Sequence, residues 1–148
     1  MSAVNAIYHI VINTHCREMT LSLDHSDSLY RYMAAIARHK NCVVYAINGI
    51  ENHIHILIGL HPSVAIADLV RDIKLASGQW LKKNAADFPL FRGWGREYGA
   101  FTYAQRDWKM VAQYISNQRV HHRRVSFEDE YRKLLSNAAI DWNEYRLT

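Results

Sequence analysis

The sequence predicts an α+β fold in which a four-stranded antiparallel sheet carries helices on one face. Short runs of β-branched and aromatic residues alternate with segments of helical periodicity, and one Asn-Gly pair separates two of the strand candidates. The predicted order is β-α-β-β-α-β-α-α, which is typical of a ferredoxin-like or RRM-like layout. The chain has 148 residues, a length that predicts a single domain spanning 1–148.

The chain begins with a predicted strand and a predicted helix. Ile7–Ile12 is a short apolar run rich in β-branched residues, which favours a strand. Asp27 or Ser28 is placed to cap a helix whose apolar residues recur at intervals of three and four, and Lys40-Asn41 ends it.

Two further strands are predicted at Val43–Ile47 and Ile54–Leu60. Between them lies Asn48-Gly49, the dipeptide most typical of a two-residue hairpin turn. Pro62 ends the second of these strands, because proline cannot donate a ladder hydrogen bond.

A long helix is predicted from about Val64 to Lys83. Its inner side is formed by apolar residues at helical spacing, namely Ile66, Leu69, Val70, Ile73, Leu75, Trp80 and Leu81. Phe88–Gly99 is irregular, and Ala100–Tyr103 is the predicted fourth strand.

Two helices are predicted at the C-terminal end. Asp107 is the expected N-cap of a helix from Trp108 to about Arg123. A shorter helix, Phe127–Leu135, follows Ser126, and its Asp129 occupies the place that glutamate holds in a capping box.

The positive charge of the chain is concentrated in its second half. Eighteen basic and fourteen acidic residues give a formal net charge of +4, and residues 75–126 contain nine basic and only three acidic side chains. Charge alone leaves two interpretations open, a solvated mixed-charge surface or a path for a phosphate backbone. The basic residues that become candidates for nucleic-acid binding are Lys82, Lys83, Arg92, Arg96, Arg119, Arg123 and Arg124.

Several other classes of protein are disfavoured. No apolar run approaches the roughly 20 residues of a membrane span, and residues 1–15 lack the pattern of a secretory signal. Cys16 and Cys42 form neither a disulfide framework nor a CxxC zinc site. We therefore expect a cytoplasmic protein.

Two histidines on the predicted third strand are the first candidates for chemistry. Strand side chains alternate, so the isoleucines at 54, 56 and 58 share one face while His53 and His55 point together to the other. Two such imidazoles form half of a site for a divalent ion, with oxygen ligands still to be added. The alternative is a pair of polar residues on a solvated sheet face.

The predicted helix after Asp107 offers further candidates. Tyr114, Gln118 and His121 lie together on its flank, whereas His122 falls in the apolar sector and is expected to be packed. The amide oxygen of Gln118 is a reasonable ligand for a hard ion. The phenol of Tyr114 can attack phosphorus if its proton is removed or the phosphate is polarised. An amphipathic helix with a boundary tyrosine is the simpler alternative.

The conjunction of a strand His-hydrophobic-His and a later helical Tyr-x-x-x-Gln resembles the single-tyrosine HUH transposases of the IS200/IS605 type. The resemblance extends over most of the chain. The matching segments are 8–9, 47–49, 53–59, 69–74, 98–101, 114–118 with 121–122, and 127–131. One departure is visible, because the family usually has Asp before the first histidine and this chain has Asn52.

The resemblance implies specific roles. Tyr114 would be the nucleophile, and His53, His55 and Gln118 would hold Mg²⁺ or Mn²⁺. The implied activity is cleavage and rejoining of single-stranded DNA through a 5′-phosphotyrosine intermediate, with recognition of hairpins at element ends. It also implies a homodimer in which the tyrosine helix of one subunit can serve the histidines of the other.

Two rival functions are consistent with the sequence. The first is an exapted or non-catalytic single-stranded nucleic-acid-binding protein that keeps the fold and the basic surface. The second is a metal-dependent phosphohydrolase that uses water, in which Tyr114 is structural.

Overall fold

The computed structural model describes residues 2–142, so Met1 and residues 143–148 of the predicted domain lie outside the described part. Its strands are β1 (Ile7–Asn13), β2 (Val43–Ile50), β3 (His53–Gly59) and β4 (Gly99–Tyr103). Its α-helices are α1 (Ser26–His39), α2 (Ile66–Lys83), α3 (Trp108–Ser116), α4 (Gln118–His121) and α5 (Phe127–Asn137). Within residues 2–142, no helix combines the length and the hydropathy that a membrane-spanning segment needs.

The four strands form one antiparallel sheet in the order β2-β3-β1-β4. The two central strands, β1 and β3, pair with each other along their whole length, from Ile7 opposite Gly59 to Asn13 opposite His53. The predicted α+β class with a four-stranded antiparallel sheet is confirmed, and the strand order is that of the ferredoxin-like layout.

The main core lies between the sheet and the pair α1 and α2. Alternate residues of the two central strands point into it, and both helices direct their apolar faces against them. Its fully buried members include Ile10, Ile12, Leu29, Met33, Ile54, Ile56, Ile58, Leu69 and Ile73. Leu75, expected on the inner side of α2, is instead 59% exposed.

The other face of the sheet is covered by the C-terminal helices. Val111 and Ile115 of α3 pack on Ile7 and Leu57. A third cluster joins α5 to β1 and β4, formed by Val11, Phe101, Phe127, Tyr131 and Leu135. This face therefore carries two small apolar clusters with a space between them, and that space holds the polar residues described below.

The hairpin turn differs from the prediction. Residues 51–52 form the turn, while Asn48 and Gly49 lie within β2 and pair with His55 and Ile54. The glycine serves close approach of the backbones, because a Cβ atom on Gly49 would lie 2.1 Å from the His53 carbonyl oxygen.

The predicted helix from Trp108 to Arg123 is broken at Asn117. The amide of Asn48 donates hydrogen bonds of 3.1 Å to the carbonyls of both Ile115 and Ser116. In a continuous helix those carbonyls would accept from residues 119 and 120, so the side chain from β2 satisfies the end of α3. Asp107 stands at the N-cap but makes no capping hydrogen bond, whereas Ser126 accepts from the Asp129 amide at 3.1 Å, as predicted.

The close approach at Gly49 yields a stability prediction. Gly49→Ala is expected to lower the free energy of unfolding by about 1–3 kcal/mol, because the new methyl group collides with backbone atoms that cannot rotate away. The matched control is Gly78→Ala in α2, where the nearest atom to the new Cβ is 3.8 Å away. That variant is expected to gain about 0.5–1 kcal/mol through helix propensity. Urea unfolding measures both, and equal effects of the two substitutions would contradict the prediction.

Candidate metal and tyrosine site

Two histidines of β3 lie side by side under the C-terminal helices. His53 and His55 are both fully buried, and their ring centroids are 4.9 Å apart. They share the sheet face opposite the isoleucine side chains, as strand alternation predicts. The alternative of a solvated pair on an open face does not hold, since neither side chain reaches solvent.

Each imidazole is held by a partner at its Nδ1 atom. His53 Nδ1 lies 2.8 Å from Asn52 Oδ1, and His55 Nδ1 lies 2.6 Å from His9 Nε2. The ring of Phe127 stacks on His53 with centroids 3.9 Å apart. Contacts of this kind at one nitrogen fix the tautomer and orientation of a histidine whose other nitrogen faces a ligand. Asn52 thus supplies a neutral oxygen as the partner of His53.

Tyr114 and Gln118 reach the histidines from α3 and from the first residue of α4. The ring of Tyr114 lies 6.0 Å from that of His55, centroid to centroid. Gln118 is fully buried, and its Oε1 lies 3.2 Å from His53 Nε2. The four residues predicted to carry the chemistry are therefore brought together within one chain.

Glu130 of α5 lies at the centre of this group, and its carboxylate is 2% exposed. Its Oε1 faces two imidazoles, at 2.9 Å from His55 Nε2 and 3.3 Å from His53 Nε2. Its Oε2 accepts a hydrogen bond from the Tyr114 hydroxyl and another, of 3.0 Å, from the Gln118 amide. One carboxylate thus contacts all four predicted residues.

Two further histidines contact the same carboxylate. His122 Nε2 lies 3.2 Å from Oε1 and His121 Nε2 lies 3.2 Å from Oε2 of Glu130. The other ring nitrogen of His122 lies 2.6 Å from the Val125 carbonyl oxygen. The ligand atoms of His53, His55, His122 and Glu130 all lie within 4.8 Å of one another, close enough to share an ion.

The electrostatics of the group keep Glu130 charged and Tyr114 neutral. Burial by itself raises the pKa of Glu130, but the imidazoles of His122, His53 and His55 that face the carboxylate outweigh burial and hold that pKa well below its ordinary value. Burial raises the pKa of Tyr114, and the neighbouring Glu130 carboxylate raises it further. The phenol therefore keeps its proton in this arrangement, with Glu130 Oε2 as the acceptor.

Periodicity and spacing did not predict that Glu130, His122 and His9 belong to the site. A signal for Glu130 was present, because it lies at helical spacing between Phe127, Tyr131 and Leu134 in the apolar stripe of α5. A carboxylate among residues that face a core indicates a buried partner of opposite charge. His122 was expected to be packed, and its side chain is indeed 3% exposed, but it faces the carboxylate.

The seven basic candidates do not lie on one surface. Lys82 and Lys83 end α2, which covers the opposite face of the sheet from the histidines. Arg92 and Arg96 lie in the loop before β4, where Arg92 is 3.6 Å from Glu18. Arg119 in α4 donates a 2.6 Å hydrogen bond to Ser26 of α1, and the exposed Arg123 and Arg124 follow His121 and His122 in the chain.

A buried His/Glu cluster with a half-buried tyrosine beside it, on a four-stranded ferredoxin-like sheet, defines a candidate site that could hold a metal ion. The family model for IS200-like transposases matches residues 2–118. The chain belongs to this family of transposases. No curated protein is similar enough in sequence to count as a relative.

Solved structures of other proteins share the fold, and two of them illustrate the likeness. One is a Deinococcus radiodurans protein assigned as a transposase, with 25% identity, a TM-score of 0.62, and coverage of 79% of this chain and 93% of that one. The other is a REP-associated tyrosine transposase bound to a REP hairpin, with 15% identity and a TM-score of 0.59. That alignment covers 82% of this chain and 72% of the other chain, and it shows likeness of fold.

The buried imidazoles predict acid sensitivity of the metal-free protein. Burial lowers the pKa of His53 from 6.5 to about 4 and lowers that of His9 well below 6.5. Between pH 6.5 and pH 4 the unfolded chain binds more protons than the folded protein does. The free energy of unfolding therefore falls as the pH drops from about 6.5 to about 4. His53 alone accounts for a loss of about 3 kcal/mol. The pKa of His122 is raised, so its contribution is complete below pH 6.5 and is lost at higher pH.

Urea unfolding in the presence of a chelator, at pH values from 4 to 7, measures this loss. His53→Gln is expected to flatten the profile, whereas His39→Gln on the exposed side of α1 leaves it unchanged. A free energy of unfolding that is constant from pH 6.5 to 4.5 would contradict the assignment.

Proposed function

We propose that this protein cleaves and rejoins single-stranded DNA that carries hairpins, with Tyr114 as the nucleophile and a divalent ion, Mg²⁺ or Mn²⁺, as cofactor. The observation that carries the proposal is the convergence on one carboxylate. The hydroxyl of Tyr114 and the Nε2 atoms of His53 and His55 contact the two oxygens of Glu130. A phosphate bound at the imidazoles would therefore lie next to the phenol.

The chemistry of the donors fits a divalent ion. His53, His55 and Gln118 would hold it, since imidazole nitrogen and amide oxygen are both ordinary ligands of first-row metals. The imidazole share of the set favours Mn²⁺ over Mg²⁺, which prefers oxygen donors. When bound, such an ion offsets the charge that develops on a phosphate under attack.

The chain's own residues account for the exchange of bonds. Tyr114 Oη attacks phosphorus and the bond from phosphorus to the 3′ oxygen breaks. The phenolic proton passes to its hydrogen-bond acceptor, Glu130 Oε2, and from there to solvent, while the leaving 3′ oxygen takes a proton from solvent. The 5′-phosphate then stays on Tyr114 as an ester. Because one ester has replaced another, a different 3′-OH can attack phosphorus and restore the free phenol.

A cavity of about 200 Å³ lies next to Tyr114 and would give a DNA phosphate access to its hydroxyl. Tyr114, His121, Glu130 and Lys133 contribute to its lining, so the phenol faces a space with a cation at its edge. That a hairpin is the substrate is supported by the REP-associated transposase, whose structure holds one.

We also propose a homodimer, which rests on the family resemblance. Since Tyr114 lies beside the histidines of its own chain in this structure, each subunit of such a dimer would carry the residues for cleavage.

A covalent adduct tests the nucleophile. Incubated with single-stranded oligonucleotides and Mn²⁺, the protein is expected to form a denaturation-resistant adduct, and Tyr114→Phe is expected to abolish it because the attacking oxygen is gone. Tyr103→Phe is the matched control. It removes the hydroxyl of a tyrosine near His9 that, in the described structure, makes no hydrogen bond to Glu130.

Cleavage that persists in Tyr114→Phe would instead support the phosphohydrolase. Salt-sensitive binding without any cleavage by the unmodified protein would support the non-catalytic binding protein.

The unequal placement of the basic residues yields a second prediction. Arg123→Ala combined with Arg124→Ala is expected to weaken binding of single-stranded DNA and to reduce the salt slope of log K by about 1.4, for two lost phosphate contacts. Lys82→Ala combined with Lys83→Ala removes the same charge from the end of α2 and is expected to have a smaller effect. Fluorescence anisotropy across a salt series measures both, and equal losses would contradict the placement.

A further inference from the structure

We propose that Glu130 and His122 are ligands of the metal together with His53 and His55, an inference that rests on the proposed function. The bound ion would then join the sheet to the C-terminal segment. Both added residues lie outside residues 2–118, the part that the family model matches.

The three imidazoles are arranged alike, and in the way that metal-binding histidines are. In each of them Nδ1 lies close to a second group, and Nε2 is left to face the centre of the cluster. The partners of His53, His55 and His122 are Asn52 Oδ1 at 2.8 Å, His9 Nε2 at 2.6 Å and the Val125 carbonyl at 2.6 Å. Support of this kind at the far nitrogen is what orients ligand histidines in metalloproteins.

The carboxylate completes the set. The three Nε2 atoms lie 2.9 to 3.3 Å from the same oxygen, Glu130 Oε1. Imidazole lone pairs and a carboxylate oxygen that converge in a buried space repel one another unless a proton or a metal cation lies between them. A divalent ion at this point would satisfy all four donors, which lie within 4.8 Å of one another.

The second carboxylate oxygen connects this set to the nucleophile. Oε2 accepts from the Tyr114 hydroxyl and from the Gln118 amide, and His121 Nε2 lies 3.2 Å from it. Glu130 would therefore be both a ligand and a positioning residue. The ion would orient the carboxylate through Oε1, and Oε2 would hold the hydroxyl of Tyr114 in place.

Titration calorimetry with Mn²⁺ alone, without DNA, tests the ligand set. Glu130→Gln keeps the shape of the side chain and removes the charge, so the Kd for Mn²⁺ is expected to rise at least tenfold. Glu130→Asp keeps a carboxylate and is expected to recover part of the affinity. Glu128→Gln is the matched control, because it removes a carboxylate from the exposed side of the same helix.

A second variant protects the test against a folding defect. Each variant is first checked by circular dichroism and thermal unfolding without metal, and His122→Gln replaces Glu130→Gln if the latter does not fold. Its Kd for Mn²⁺ is also expected to rise at least tenfold. Affinity within twofold of the unmodified protein in a folded Glu130→Gln or His122→Gln overturns the proposal, as does absence of Mn²⁺ binding by the unmodified protein.

Failure of this proposal and failure of the proposed function give different results. Adduct formation by the unmodified protein, with Mn²⁺ affinity unchanged in Glu130→Gln, overturns the ligand assignment and leaves the transesterase intact. Tight Mn²⁺ binding that depends on Glu130, without any adduct, supports the ligand assignment and removes the proposed function.

Discussion

A buried carboxylate among imidazoles is tolerated only when positive charge or donated hydrogens surround it, and the candidate site is organised around that requirement. Glu130 is 3% exposed and contacts four histidines, one phenol and one amide. The energy lost by removing its charge from water is recovered through these contacts. Three of the four histidines are in turn held at Nδ1 by a neighbour, as Asn52 holds His53.

The groups that surround Glu130 come from two layers of the fold, the antiparallel sheet and the C-terminal helices that pack on it. The central strand β3 fixes His53 and His55 through ladder hydrogen bonds on both sides. Asn48 lies opposite His55 in the ladder, and its side chain binds the last carbonyls of α3. The sheet residue next to a candidate ligand therefore also sets where the tyrosine helix ends. Because that helix ends there, the chain can turn and bury Gln118 beside the imidazoles.

The parts of this arrangement that depend on local periodicity were predictable, and the parts that depend on distant contacts were not. Alternation along a strand placed both histidines on one face, and spacing along a helix placed Tyr114 with Gln118. The hairpin turn was predicted wrongly, since Asn-Gly is a turn signal in general while Gly49 serves a close backbone approach that only the paired strands reveal. The break at Asn117 also arises from another element, through Asn48. Glu130 was within reach of sequence reasoning, because a charge in an apolar stripe calls for a partner, but the identity of that partner required the fold.

The candidate metal ligands come from two parts of the chain, with His53 and His55 on β3 and His122 and Glu130 after Gln118. This division determines the order in which the site is assembled. The sheet can present two imidazoles by itself, while the carboxylate and the third imidazole arrive only when the segment after Gln118 docks on it. A cation that binds residues of both the sheet and the C-terminal segment binds only when that segment is docked on the sheet. Such binding would shift the equilibrium toward the docked state by mass action. The concentration of divalent ions would then set the fraction of molecules in which this segment is docked beside Tyr114. The fraction of molecules with a complete site would therefore depend on that concentration.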